Sequence, residues 1–154
     1  MRFEAVARTG ASPEAVYAAL SDVRAIESGA ARQGMILNRR DGGDGLAGAR
    51  FDLRLNLRGH PRDVEITVTE ALPPSRIALD ARSGGVEAVV VADIARTAPD
   101  ATLIAATVEI RARTLASRLL LGSLLPGRGR LERMLGSRLG EFARKLDRTS
   151  VTNR

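Results

Sequence analysis

The sequence predicts an α+β fold: a seven-stranded antiparallel sheet curved around a long C-terminal helix, with two short helices after the first strand. Three observations predict it. An alternating segment, Arg2–Arg8, opens the chain and runs straight into a proline-started helix signal. Six further segments then alternate apolar and polar residues at period two, separated by turns rich in Gly and Pro. From Leu115 onward the apolar residues recur at spacings of three and four, the period of a helix. Consecutive strands joined by tight turns pair antiparallel, as a meander.

Each element has its own warrant. In the first strand Phe3, Ala5 and Ala7 stand against Arg2, Glu4 and Arg8. Ser12-Pro13-Glu14 supplies an N-cap, a residue suited to the first helical position and a carboxylate facing the positive end of the helix. That helix should run to about Leu20, with Val16, Ala19 and Leu20 on one face, and a second from Asp22 to Ala31. The predicted strands are Met35–Arg40, Arg50–Arg58, one around Val64, Ile66 and Val68, then Arg76–Arg82, Val86–Thr97 and Thr102–Arg113. Arg50–Arg58 alternates strictly, which points Leu53 inward with Phe51 and Leu55. Asp41–Gly45, Gly59-His60-Pro61, Pro73-Pro74, Ser83-Gly84-Gly85 and Ala98-Pro99-Asp100 read as turns or breaks. The C-terminal helical segment spans about 115–148, kinked or broken near Pro126, with 149–154 a frayed tail. A separate short helix over 115–125 is the alternative reading.

Composition excludes several function classes. The 154 residues fit one domain, 1–154, with a core of its own. There is no cysteine, which removes disulfides, thiolate metal sites and thiol nucleophiles, and nothing implies an oxidising compartment. With no signal-peptide pattern at the N-terminus and no apolar run of about 20 residues, the expected location is the cytoplasm. Residues 1–114 hold 15 basic and 15 acidic side chains, residues 115–154 hold 9 and 3, so the net +6 sits on the C-terminal segment. All basic residues but Lys145 are arginines, a bias that a GC-rich genome also produces. Aromatic residues are few, Phe3, Tyr17, Phe51 and Phe142, which speaks against a single-stranded nucleic-acid platform. No nucleic-acid partner is expected.

The chain resembles the START-like (SRPBCC) superfamily, whose helix-grip fold is that of the birch-pollen allergens. The residues that carry the resemblance are Ala11-Ser12-Pro13-Glu14-Ala15-Val16-Tyr17, the glycines Gly42, Gly45 and Gly48 before the long strand, Glu70-Ala71-Leu72-Pro73-Pro74-Ser75-Arg76, and the long C-terminal helix. The resemblance covers nearly the whole chain. It implies polyketide cyclases and aromatases, lipid and quinone carriers, hormone receptors or chaperone activators, and fold alone does not choose among them. The chain lacks tryptophan and the aromatic residues often found in the second helix.

The individual residues give no catalytic constellation. His60 is the lone histidine and lies in a predicted turn, so neither a zinc site nor a Ser-His-Asp relay can be built on it. Glu65, Glu87, Asp93 and Glu109 fall opposite the apolar stripes of their strands, as cross-strand ion pairs do. Gly42-Gly43-Asp44-Gly45 lacks the lysine and hydroxyl of a phosphate loop. No cofactor and no metal are expected.

The leading expectation is therefore a non-catalytic binding protein for a small hydrophobic molecule, lipid-, polyketide- or quinone-like, held between the sheet and the C-terminal helix. Its candidate contacts are Phe51, Leu53, Leu55, Ile66, Val68, Leu79, Ile104, Ala106, Met134, Leu135 and Phe142, with Tyr17 and Arg138 as polar members. One alternative is a cyclase- or aromatase-type enzyme using Tyr17, Arg39 and Arg138. The other is a membrane-associated or partner-docking accessory protein, akin to the carbon monoxide dehydrogenase accessory branch. Arg130, Arg133, Arg144 and Arg148 would then contact anionic membrane or an acidic protein, and Leu119–Leu125 would insert.

Overall fold

The computed structural model describes residues 1–43, 45–57 and 59–152, with backbone alone for Leu124, Ser150, Val151 and Thr152. The order is β1 (Arg2–Thr9), α1 (Pro13–Leu20), α2 (Val23–Arg32), β2 (Ile36–Arg39), β3 (Arg50–Leu57), β4 (His60–Leu72), β5 (Arg76–Ser83), β6 (Val86–Ala98), β7 (Ala101–Ala112), α3 (Leu115–Leu124) and α4 (Arg128–Thr152). The seven strands form one antiparallel sheet in the order β1-β7-β6-β5-β4-β3-β2. Six of the strands are the meander that the sequence predicts, and β1 returns to pair with β7.

Local chemistry sets the boundaries. The Ser12 Oγ accepts from the Ala15 N–H at 3.2 Å and Pro13 opens α1. The Asp22 carboxylate accepts from the Ala25 N–H at 3.2 Å and caps α2. Each cap satisfies a donor that the first turn leaves unpaired, an effect worth about 1 kcal/mol. Register shifts in β4 near Thr69 and in β6 near Thr97 mark bulges, which add bend and twist to the sheet.

Two expectations need correction, and one is made more definite. The β3–β4 turn does not occupy Gly59-His60-Pro61: Leu57 already pairs with His60, so the turn is Arg58-Gly59, of which Arg58 lies outside the described residues. Gly59 takes a φ of +81°, which glycine adopts without a Cβ penalty. His60 is exposed at the start of β4, and Pro61 lies inside that strand. Pairing of β4 with β5 begins only at Glu65, so Pro61 lies where β4 still has an open side and its missing N–H is tolerated. Second, the helical segment is interrupted near Pro126: 115–124 is a helix of its own, and a 3-10 turn over Leu125–Gly127 holds Pro126. Third, α4 continues to Thr152, so 149–152 is helical; residues 153 and 154 lie outside the described residues.

The α4 helix runs alongside β1 in the same direction. At one end the Arg128 guanidinium donates to the Arg2 carbonyl at 3.2 Å and lies 6.0 Å from the Phe3 ring centre. At the other, Asp147 accepts from the Thr9 hydroxyl at 2.6 Å and from the Gly10 N–H at 2.8 Å. Between these ends Leu139, Phe142 and Leu146 pack onto Ala11, Val16, Ile94 and Ile104. Val16 and Ile104 are fully buried, and each contributes about 1.5–3 kcal/mol by leaving water. A second apolar cluster, Ala49, Phe51 and Val68, lies toward β2 and is covered by Val23, Leu37, Leu46, Ile66 and Ala71.

The opposite face of the sheet is ionic. Arg40 pairs with Asp52 and Glu65, Arg54 with Asp63, Arg76 with Glu70 and Asp93, and Arg113 with Glu87. Such exposed pairs contribute about 0–1 kcal/mol each and serve mainly to keep that face soluble. No described helix is long and apolar enough to cross a membrane.

Candidate functional site

Between α1–α2 and strands β2–β5 lies a cavity of about 130 Å³. Its walls are hydrocarbon throughout. The helices supply Leu20, Val23 and Ile26, and the β2–β3 region supplies Leu37, Leu46 and Phe51. Strands β4 and β5 supply Ile66, Val68, Ile77 and Leu79. Strand parity explains the convergence. Phe51 pairs with Ile66 across β3–β4, Val68 with Leu79 across β4–β5, and side chains two apart share a face. The void is comparable to the engineered cavity of roughly 150 Å³ known in another protein to stay dry and take up benzene.

The sequence-predicted contacts divide into groups. Phe51, Ile66, Val68 and Leu79 line this cavity together. Leu53 and Leu55 are half-buried farther along β3, where Leu53 faces Leu37 on one side and Val64 on the other. Ile104 is sealed in the core against α1 and α4, and Ala106 lies on the same face of β7, half-buried between Ala5 and Ala92. Tyr17 packs beside that core, and burial pushes its phenol up from the ordinary value. On α4, Leu135 is half-buried, Arg138 is exposed and Met134 is 51% exposed.

Six lining residues escaped the sequence reading: Leu20, Val23, Ile26, Leu37, Leu46 and Ile77. Their signal was present. Leu20, Val23 and Ile26 recur every three residues across the α1–α2 boundary, and Ile77 alternates with Leu79 in β5.

Ile26 has a second role in the geometry. It is 42% exposed and also lines a depression of about 370 Å³ between α2 and α4, together with Ala25, Phe142 and Leu146. Arg32 and Lys145 stand at the same depression. Ile26 thus belongs to both spaces.

Arg39 lies next to the cavity without lining it. Its guanidinium is 5.8 Å from the centre of the Phe51 ring and pairs with Asp41 at 2.7 Å. A second N–H donates to the Gly45 carbonyl, which ties the β2–β3 loop down. The Arg39 hydrogen bond holds the Asp41 carboxyl well below the usual carboxylate range. A third depression, on the ionic face of the sheet, has Arg40, Arg50, Glu65, Asp80 and Arg82 at its walls, a mixture of both charges with no favoured partner.

No protein-family profile and no curated protein matches the sequence. Solved structures do match its fold. A Thalictrum flavum norcoclaurine synthase point mutant, in complex with a transition state analogue, has a TM-score of 0.68 at 11% identity, covering 97% of this chain and 96% of that one. The protein TTHA0849 from Thermus thermophilus has a TM-score of 0.67 at 13% identity, covering 99% of both chains. Ara h 8.0201 has a TM-score of 0.57 at 11% identity, covering 84% of this chain and 91% of that one. At these identities the likeness is one of fold. With a seven-stranded antiparallel sheet, two short helices after β1 and a long terminal helix packed on the sheet, the chain has the helix-grip fold of the START-like (SRPBCC) superfamily.

Proposed function

We propose that the protein binds a small hydrophobic molecule, without transforming it, in the cavity beneath α1 and α2. The observation that carries this reading is the lining, ten hydrocarbon side chains and no polar one. Transfer of an apolar group into such a space is favourable at about 25 cal/mol per Å² removed from water. No side chain of the lining can donate or accept a proton, so the cavity supplies no acid, base or nucleophile for a reaction.

A volume of about 130 Å³ suits one ring or a short branched chain. A longer lipid-, polyketide- or quinone-like molecule would place that part in the cavity and its remainder past Ile26, in the depression between α2 and α4. The polar end would then lie beside Arg32 and Lys145. In this reading Phe51, Ile66, Val68 and Leu79 are ligand contacts, joined by Leu20, Val23, Ile26 and Ile77.

The test is native mass spectrometry of freshly purified protein, followed by titration with the fluorescent probe N-phenyl-1-naphthylamine. Ile66→Phe and Leu79→Trp would fill the void. The expected result is saturable probe binding that both substitutions weaken at least tenfold, with unchanged circular dichroism. Absence of saturable binding to the wild type, or equal binding by both well-folded variants, overturns the reading.

A further inference from the structure

Helix α3 turns its apolar residues outward. Thr114 and Ser117 cap it reciprocally, and Ser117 is only 2% exposed, so that side of the helix faces the body of the protein. Leu121, on the same side, meets Met1 and Ile110 at the β1–β7 end of the sheet. Helical periodicity then points Leu115 and Leu119, one turn apart, into solvent, where they are 75% and 70% exposed. Leu125, in the following 3-10 turn, is 54% exposed and lines a depression with Leu121, Met1 and Ile110, apart from that pair. Single exposed leucines are ordinary, but Leu115 and Leu119 adjoin on one face of the helix.

The charge around this patch has one sign. Between Glu109 and Glu132 the chain carries Arg111, Arg113, Arg118, Arg128 and Arg130 and no carboxylate. Arg111 is occupied by Glu109, Arg113 by Glu87, and Arg128 by the Arg2 carbonyl. Among the described residues no ion pair engages Arg118, Arg130 or Arg133. A second copy of this chain would bring the same cations against the same leucines and be repelled. The surface that offers an apolar layer directly beneath negative charge is a bilayer with anionic headgroups.

We propose that α3 and the turn after it dock on an anionic lipid surface. Leu115 and Leu119 would reach the boundary between headgroups and acyl chains, and Arg118, Arg130 and Arg133 would lie among the phosphates. The helix is short, so the attachment is shallow and reversible. This seat keeps Leu119, Arg130 and Arg133 of the one expected from sequence, adds Leu115 and Arg118, and leaves out Arg144 and Arg148 toward the far end of α4. It does not depend on the contents of the apolar cavity.

The test is flotation of the full chain with vesicles of phosphatidylcholine alone or with one-third phosphatidylglycerol. Salt is set at about 0.01 M and about 0.15 M, where the screening length falls from about 30 to about 8 Å. Binding to the anionic vesicles should exceed binding to the neutral ones at least tenfold at low salt and weaken at high salt. At about 1 kcal/mol, or about fivefold, per arginine, Arg118→Gln/Arg130→Gln/Arg133→Gln should lose on the order of a hundredfold. Leu115→Ser/Leu119→Ser should lose about tenfold while its thermal midpoint stays unchanged. No anionic preference at low salt overturns the proposal, as does a leucine variant that binds like wild type. A wild-type dimer by light scattering that the leucine variant abolishes, without vesicle binding, would assign the patch to a second copy and overturn it too.

Discussion

Gly85 is the position where one methyl group should do the most local damage, and its neighbour is the internal control. Gly84 and Gly85 form the β5–β6 turn, with φ of +50° and +82°. An alanine at either meets the left-handed penalty of about 1–2 kcal/mol, part of which is offset by the smaller entropy of its unfolded chain. A Cβ on Gly84 would meet nothing within 4 Å. A Cβ on Gly85 would lie 2.8 Å from the Thr114 Oγ1 and 3.0 Å from its Cγ2, and Thr114 is the N-cap of α3. The Gly85 carbonyl meanwhile accepts from the Arg113 N–H at 2.8 Å, so the turn cannot simply swing away. Relief requires Thr114 to move and the cap, worth about 1 kcal/mol, to be given up. Gly84→Ala should therefore cost about 1 kcal/mol and Gly85→Ala about 2–3 kcal/mol. For a chain of this length the larger loss lowers the thermal midpoint by roughly 5–10 °C. Urea unfolding of Gly84→Ala, Gly85→Ala, Thr114→Ala and the Gly85→Ala/Thr114→Ala double variant gives the coupling directly. The double variant should cost about 1 kcal/mol less than the sum of its parts. A Gly85→Ala protein no less stable than Gly84→Ala, or strict additivity in the cycle, would refute the reasoning.

Asp147→Ala removes the acceptor of two hydrogen bonds that fasten the end of α4 to Thr9 and Gly10. It should cost about 1.5–3 kcal/mol by urea denaturation, the usual scale for bonds to a charged group. Leu53→Ala should cost about 1–2 kcal/mol against about 2–5 kcal/mol for Ile104→Ala, because Leu53 is half-buried and Ile104 sealed; equal losses would show that Leu53 is fully packed. Asp41 is held below the ordinary carboxylate range by its bond to Arg39. Its pairing is therefore complete above the unfolded value of about 3.9 and is lost as pH falls below that, through the lower folded value. Carbon NMR titration should place the Asp41 midpoint well under 3.9 and return it toward that value in Arg39→Gln.

The strand pattern was legible because half-buried antiparallel strands write their two faces into alternate residues. Phe51, Leu53, Leu55 and Leu57 gave every described residue of β3, Arg50–Leu57. Pro61 misled because proline reads as a breaker; only the sheet order shows that this part of β4 lacks its β5 neighbour. The cavity was half-legible for a related reason. Parity identified its floor on β3, β4 and β5, whereas its roof depends on where helices lie, and period alone does not place a helix over a particular strand. The natural expectation put α4 above the whole sheet. It packs chiefly along β1, an edge strand, and leaves the region over β2–β5 to α1 and α2. Met134 and Arg138 consequently stand exposed instead of lining the cavity. On α3 the sequence singled out Leu119–Leu125 but not Leu115, because an isolated amphipathic pattern does not reveal which side will find a partner.

The pairing of β1 with β7, and of β1 with α4, has a consequence for how the chain is made. Arg2 pairs with Glu109 and Thr9 with Thr102, while Asp147 closes on Thr9 and Gly10. Of the seven strands β1 is made first and is among the last to be satisfied, since its sheet partner is some hundred residues downstream and its helix farther still. Strands β2 to β7 can zip up hairpin by hairpin as they emerge, each closing only a short loop. Throughout that time β1 waits with its Phe3 and Ala5 uncovered and its backbone bonded to water. Folding of this unit therefore closes on a docking step in which β1 and α4, far apart in sequence, meet on one edge of a nearly finished sheet. Chaperones that shield β1 should speed folding of this unit more than those that act on β3 to β5.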